Sequence, residues 1–302
     1  MNQYCTITLT KDVVDKLIEY YSPFRMNNSN EYIVFMAKKN TITITVYSSK
    51  KADYKVIFSG NDVIEEAKLW DMNARLTEAK EPIKAEWLCL KNQIGSDEVG
   101  TGDFLLPIIV CAAFVREKDM KMLKEYGVTD SKKLSDKEIL SIGEALAKKF
   151  FISKLTLTNE QYNELISSGE NLNSIKAKMH NRALLNLLKK FPETKNIFVD
   201  QFCSPDLYYS YLNDKNEMQV RNIVFKTKGE SYYPSVALAS VMARYSFLLE
   251  VKKLEAHYKI NFPFGASKKV DEFAKEFVAK FGIKELEKIA KTNFANYKDI
   301  AK

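Results

Sequence analysis

Two histidines in 302 residues, His180 and His257, leave little room for imidazole chemistry. A Ser-His-Asp or Cys-His centre needs one of them as its base, and no serine or cysteine near either stands in a telling sequence context. The four cysteines, Cys5, Cys89, Cys111 and Cys203, lie far apart with no Cys-x-x-Cys pair. That spacing argues against a disulfide framework or a zinc knuckle and leaves reduced thiols. No apolar run reaches the roughly eighteen residues that a membrane helix needs. The N-terminus, MNQYCTITLTKDVV, lacks the charged-then-apolar pattern of a secretory signal. Repeats and low-complexity tracts are missing too. The expectation is a soluble, cytoplasmic monomer with no membrane partner.

What is present is a well-stocked core and a positive balance. Hydrophobic residues make up 46% of the chain, enough to exclude global disorder, and the net charge of +7 permits a polyanionic partner without proving one. The length favours two domains over one.

Residues 1–88 read as a small α+β unit. CTITLT (5–10) is a short strand, and KDVVDKLIEYYSPF (11–24) carries apolar residues at helical spacing. YIVFMAKK (32–39) and TITITVYS (41–48) flank Asn40 as a hairpin, and YKVIFSG (54–60) is a third strand. In TITITVY, Ile42, Ile44 and Val46 share an apolar face, while Thr41, Thr43, Thr45 and Tyr47 share a polar face expected to be wet. A helix over 61–73 follows. LTEAKEPIKAEW (76–87), charged and containing Pro82, is the linker, which runs to about residue 88 and separates domains at 1–88 and 89–302.

From Leu88 on, strands are expected near 93–98, 107–115, 150–157, 197–200 and 220–225. Helices are expected from Asp136 (with Ser135 as N-cap), over 172–190, over Pro234–Tyr258, and near 269–280 and 283–291. That order suggests a mixed sheet with helices on its faces.

Chemistry concentrates in IGSDEVGTGDFLLPIIV (94–110), where an apolar strand runs into Asp97 and Glu98 among Gly95, Gly100 and Gly102. Acids at a strand end beside glycines describe an exposed edge that a ligand backbone can approach. Asp200 ends NIFVD, and Glu230 follows Gly229 just before the Pro234 helix. Each acid alone suits an ordinary turn or helix start. Four carboxylates without a suitable histidine fit hard-cation chemistry, in which Mg²⁺ or Mn²⁺ bound by oxygen ligands assists phosphoryl transfer.

GSDEVGTGD, TDSKKLS (129–135), VDQF (199–202) and KGESYYPSVALASVMARYSFL (228–248) resemble the type 2 ribonuclease H family. The resemblance covers some 210 residues in the right order. It implies the α/β ribonuclease H-like fold, with Asp97, Glu98, Asp200 and Glu230 as the catalytic acids. These would bind two divalent ions, Mg²⁺ or Mn²⁺, during cleavage of the RNA strand of an RNA–DNA hybrid to 5′-phosphate and 3′-hydroxyl ends. Glu230, where ribonuclease HII has Asp, favours the ribonuclease HIII branch. So do the extra N-terminal unit, which is similar to a TATA-binding-protein-like domain, and the segments GASKKVDEF (265–273) and KTNFANYK (291–298).

By the same resemblance, Gly100-Thr101-Gly102 meets ribose 2′-hydroxyls through its backbone, although the middle residue, usually Arg in ribonuclease HII, is Thr101 here. Ser131, Lys132 and Lys133 are further substrate contacts. Thr43, Thr45, Tyr47 and Lys55 offer hydroxyls and charge for a hybrid backbone. Tyr208, Tyr209 and Tyr211 read as packing rather than base stacking. The rival readings are cleavage at single ribonucleotides embedded in DNA, as in ribonuclease HII, and a non-catalytic hybrid-binding module.

Overall fold

The computed structural model describes residues 3–28, 33–47, 53–77, 87–128, 134–213 and 218–300. It divides into two units, Met1–Lys84 and Ala85–Lys302. The division falls ahead of the expected boundary at residue 88. Trp87 and Leu88 are tied to the second unit: the Trp87 indole donates to the Glu230 carbonyl (3.0 Å) and the Leu88 amide to the Tyr232 carbonyl (2.9 Å). Residues 78–86 of the expected linker lie outside the described residues.

In the first unit, β1 (Gln3–Thr10), β2 (Ile33–Lys39), β3 (Ile42–Tyr47) and β4 (Asp53–Gly60) form an antiparallel sheet in the order β1-β4-β3-β2. Asn40, at φ 53°, takes the left-handed turn that Asn tolerates and closes the β2–β3 hairpin. Period-two alternation places Cys5, Ile7, Leu9, Ile44, Val46, Val56 and Phe58 in one core. They are covered by Val14, Leu17 and Tyr21 of α1 (Lys11–Tyr21) and by Val63 and Ala67 of α2 (Val63–Lys68).

Both helices are shorter than expected. After Tyr21 the chain tightens into a 3-10 turn at Ser22–Phe24, which contains Pro23; after Lys68 it breaks into turns. The polar face differs from expectation at one residue. Thr45 is only 8% exposed, because it sits in register with Met36 and Ile57 on the flanking strands.

The second unit is built on a mixed sheet, ordered β7-β6-β5-β8-β9, of β5 (Asn92–Val99), β6 (Ile108–Arg116), β7 (Phe151–Leu157), β8 (Ile197–Asp200) and β9 (Ile223–Lys226). β6 runs antiparallel to β5 and β7; β8 runs parallel to β5, and β9 to β8. β6 is buried from Ile108 to Val115, as a strand covered on both faces must be.

The helices are α3 (Met120–Glu125), α4 (Asp136–Lys149), α5 (Asn159–Ser167), α6 (Leu172–Leu188), α7 (Pro205–Ser210), α8 (Pro234–Tyr258), α9 (Lys268–Phe281), α10 (Ile283–Ile289) and α11 (Ala295–Ile300). Ser135 caps α4 reciprocally with Glu138, as expected. The short helices α3, α5, α7 and α11 were not expected. α5, for example, starts at a Thr158–Gln161 capping box. α8 is apolar on most faces because it is the central buried helix. It packs against β5 at Gly95, where a Cβ would fall 2.4 Å from the Val236 nitrogen.

Candidate active site

Parallel pairing brings the acids to one edge. Ser96 on β5 is in register with Val199 on β8, so the next residues, Asp97 and Asp200, emerge together at the carboxyl ends of neighbouring parallel strands. That edge is where open α/β sheets place their ligands. β9 ends alongside, with Lys226 opposite Asp200. The chain then turns at Lys228 (φ 58°) into a 3-10 turn, Gly229–Ser231, whose first amide donates to Asp200 Oδ1 at 2.8 Å. The next residue is Glu230, 6% exposed.

Asp97 is 8% exposed. Its Oδ1 accepts the Glu98 amide at 2.7 Å, and Ser240 of α8 donates to its carboxylate. Burial, then the Glu98 carboxylate, then that of Asp200, hold its carboxyl well above the usual range despite those donors. Three acids are therefore close enough to feel one another.

Glu98 has a different environment. As strand alternation demands, it is directed to α6 while Asp97 hydrogen-bonds to α8. Its Oε2 pairs with His180 Nε2 at 2.9 Å, and its Oε1 contacts the Lys176 ammonium. Burial pushes its carboxyl upward, but the His180 hydrogen bond, followed by the His180 and Lys176 charges, outweighs burial and leaves it below the usual range. His180 Nδ1 in turn lies 2.8 Å from Ser96 Oγ. Phe202 backs both basic side chains: His180 stacks on its ring (5.3 Å between centroids), and Lys176 Nζ lies 3.9 Å from its centroid.

Sequence reasoning missed Ser96, Lys176, His180 and Ser240, and it set His180 aside for want of a serine. The structure supplies one, from 84 positions away. Ser96 and His180 have no exposed surface, so this Ser-His-Glu line cannot present a nucleophile and instead fixes the orientation of Glu98. The available signal was Lys176 and His180 at i and i+4 on one helix face.

Among the described residues no group of three or more His, Cys, Asp or Glu side chains already forms a cation site. Glu98 is engaged by α6 instead. The acids nevertheless suit a hard divalent cation: every candidate donor is a carboxylate oxygen, and the repulsion that adds to burial at Asp97 is what such a cation relieves.

The three glycines of the motif separate by cause. Gly95 is demanded by α8. Gly100, at φ 89°, would place a Cβ 2.0 Å from the Pro107 carbonyl oxygen. Gly102 is exposed, and a Cβ there would have no heavy atom within 4 Å, so the chain's own packing does not explain it. Thr101 is half-buried beside it. A cleft of about 330 Å³ opens next to Glu98, lined also by Ser240, Arg244 and Asp136, the last two joined by a bidentate ion pair at 2.8 Å.

Thr43, Tyr47 and Lys55 share one sheet face of the first unit, with Tyr47 directly opposite Lys55. Ser131, Lys132 and Lys133 lie outside the described residues. Tyr208 is fully buried, 4.9 Å from the Phe225 ring, in keeping with packing.

The family model described as Ribonuclease HII matches residues 94–297, and a second model, described as a domain of unknown function, matches residues 5–82. A curated ribonuclease HIII of Bacillus cereus is 37% identical over 306 aligned positions, spanning 98% of this chain and 97% of its own. A crystal structure of Bst-RNase HIII in complex with Mn²⁺ superposes with TM-score 0.68 at 32% identity, covering 99% of this chain and 98% of that one. Aquifex aeolicus RNase H3 (TM-score 0.55, 22% identity, 95% of this chain and 99% of that one) shares the fold.

Proposed function

Given that the chain belongs to the ribonuclease HIII family and is a ribonuclease H endonuclease, we propose that it hydrolyses the RNA strand of RNA–DNA hybrids at the Asp97, Glu98, Asp200 and Glu230 edge. Two divalent ions, Mg²⁺ or Mn²⁺, would be held there, and the products would carry 5′-phosphate and 3′-hydroxyl ends, as the family resemblance implies. The observation that carries the reading is the convergence of Asp97 and Asp200 at the ends of parallel strands, with the Asp97 carboxyl raised by burial and then by its acidic neighbours.

When bound, divalent ions supply charge neutralisation at the scissile phosphate and make water nucleophilic near neutral pH. The side chains do the rest. Asp97 and Asp200 offer carboxylate oxygens from adjacent strand ends, and the Gly229 amide holds Asp200 in place. His180, itself fixed by Ser96, and Lys176 keep Glu98 ionised and at one orientation. Glu230 completes the donor set from the turn. The exposed backbone at Gly102 has room for the 2′-hydroxyl, which distinguishes RNA from DNA. In the first unit, Thr43, Tyr47 and Lys55 would grip the hybrid backbone without reading bases.

The test is a cleavage assay on hybrid, RNA duplex and DNA carrying one ribonucleotide, with Mg²⁺ and Mn²⁺ in turn. Hybrid should be cut, and Asp97→Asn should abolish cutting while circular dichroism stays native. Retained activity in that variant would overturn the assignment of the acids; preferential cutting at the single ribonucleotide would favour ribonuclease HII-like specificity.

A further inference from the structure

Between the glycine turn and β6, residues 103–107 have no regular structure, yet Phe104, Leu105 and Leu106 are fully buried. Buried carbonyls without a ladder must find donors elsewhere. One residue from the far end of the chain supplies most of them. The Lys291 backbone amide donates to the Phe104 carbonyl at 2.9 Å, and its Nζ donates to the carbonyls of Asp103 and Leu106.

Lys291 lies between α10 and α11 and has no exposed surface, a rare state for lysine. Burial lowers its pKa to about 7. The neutral amine still carries two N–H donors, one for each carbonyl. A second strap runs parallel to the first. The Gly265 amide donates to the Asp103 carboxylate, and its carbonyl accepts the Phe104 amide at 2.9 Å. Asn296 of α11 secures that strap by donating to the Ala266 carbonyl at 3.0 Å. The two C-terminal segments that set this chain apart in sequence thus converge on one loop.

We propose that Lys291 is the positioning residue of the ribose-contact turn. By holding three of the four carbonyls that follow Gly102, it sets where the Gly102 backbone stands to meet the 2′-hydroxyl, and it governs the preference for RNA without touching the substrate. This rests on the reading of Gly100–Gly102 given above.

The test compares Lys291→Met with the wild type in steady-state cleavage of a hybrid, in Mn²⁺ binding isotherms and in thermal melts. Losing the donors should raise KM about tenfold, the equivalent of roughly one hydrogen bond, with kcat changed much less and the Mn²⁺ isotherm unmoved. Leu286→Ala, buried in α10 without a hydrogen bond to the loop, should lower Tm but leave KM alone. Asn296→Ala should reproduce the KM shift more weakly, and it decides the matter if Lys291→Met does not fold. An unchanged KM in soluble Lys291→Met or, failing that, in Asn296→Ala would overturn the proposal, as would an equal KM shift in Leu286→Ala. Gly102→Ala separates the two levels. If it cleaves hybrid as the wild type does, the reading of the turn fails; if it is impaired while Lys291→Met is not, only the inference about Lys291 fails.

Discussion

Gly102→Ala is an informative single change because the protein itself should not notice it. A methyl there meets no heavy atom within 4 Å, and the position is exposed. Replacing glycine by alanine at a compatible backbone position stabilises by about 0.4–1 kcal/mol through the unfolded chain. Tm should therefore stay level or rise by roughly 1–4 °C. Substrate binding should go the other way. A methyl projecting from the turn would hold the backbone off the ribose and cost one or two hydrogen bonds at about 1 kcal/mol each. That corresponds to about a five- to thirtyfold loss in kcat/KM on hybrid. The assay is steady-state cleavage of a hybrid together with the binding constant for DNA duplex of the same sequence. Duplex binding through phosphates should be unaffected, so the RNA preference alone falls. Wild-type kinetics on hybrid, or an equal loss on both duplexes, would refute the argument that Gly102 is glycine for the ligand's sake. Gly100→Ala is the contrast: at φ 89°, with the Pro107 carbonyl in the way, it should lower Tm first.

Three further outcomes follow from the same geometry. Lys176→Met takes from the buried Glu98 carboxylate one of its two basic partners, His180 remaining, and should cost about 1.5–3 kcal/mol in urea unfolding; adding Glu98→Gln should recover much of it, and a double variant no more stable than the single one would show that the pair is not coupled. Because the folded pKa of Lys291 is depressed to about 7 while the unfolded chain keeps its proton to about 10.4, the unfolded state binds more protons in between. Relative to Lys291→Met, stability should therefore rise from pH 7 to 9 by at most about 2.7 kcal/mol, and this difference between the two proteins should be level below pH 7. Lys55→Ala should reduce the slope of log KM against log salt by about 0.9, one phosphate contact, and an unchanged slope would remove Lys55 from the hybrid face.

The elements that were legible are those that local pattern decides. Alternation in 41–48 defines β3 and its apolar face, Asn40 marks the hairpin, and Ser135 with Glu138 starts α4. Where tertiary packing overrides pattern, the reading slipped. Thr45 alternates as a wet residue but is covered by Met36 and Ile57 from the neighbouring strands. Pro23 tightens the end of α1 into a 3-10 turn. α7 and α5, of six and nine residues, offer too few turns for a periodic signal.

The acids could be picked out one by one, but their unequal surroundings could not, because those depend on which distant strand and helix come alongside. β8 pairing parallel to β5 sets Asp200 beside Asp97, and α6 crossing the other face brings Lys176 and His180 to Glu98. Two neighbours in sequence thus end in opposite electrostatic states. Glu98 is held ionised by its His180 hydrogen bond and the Lys176 ammonium, while Asp97 is pushed toward its proton by burial and then by neighbouring carboxylates. A fold selected for stability alone would not leave the second unrelieved, since one pKa unit costs about 1.4 kcal/mol. The strain sits where a divalent cation would remove it, which is why Asp97, rather than the better-satisfied Glu98, is the residue whose neutralisation to Asn should raise the metal-free Tm while abolishing cleavage.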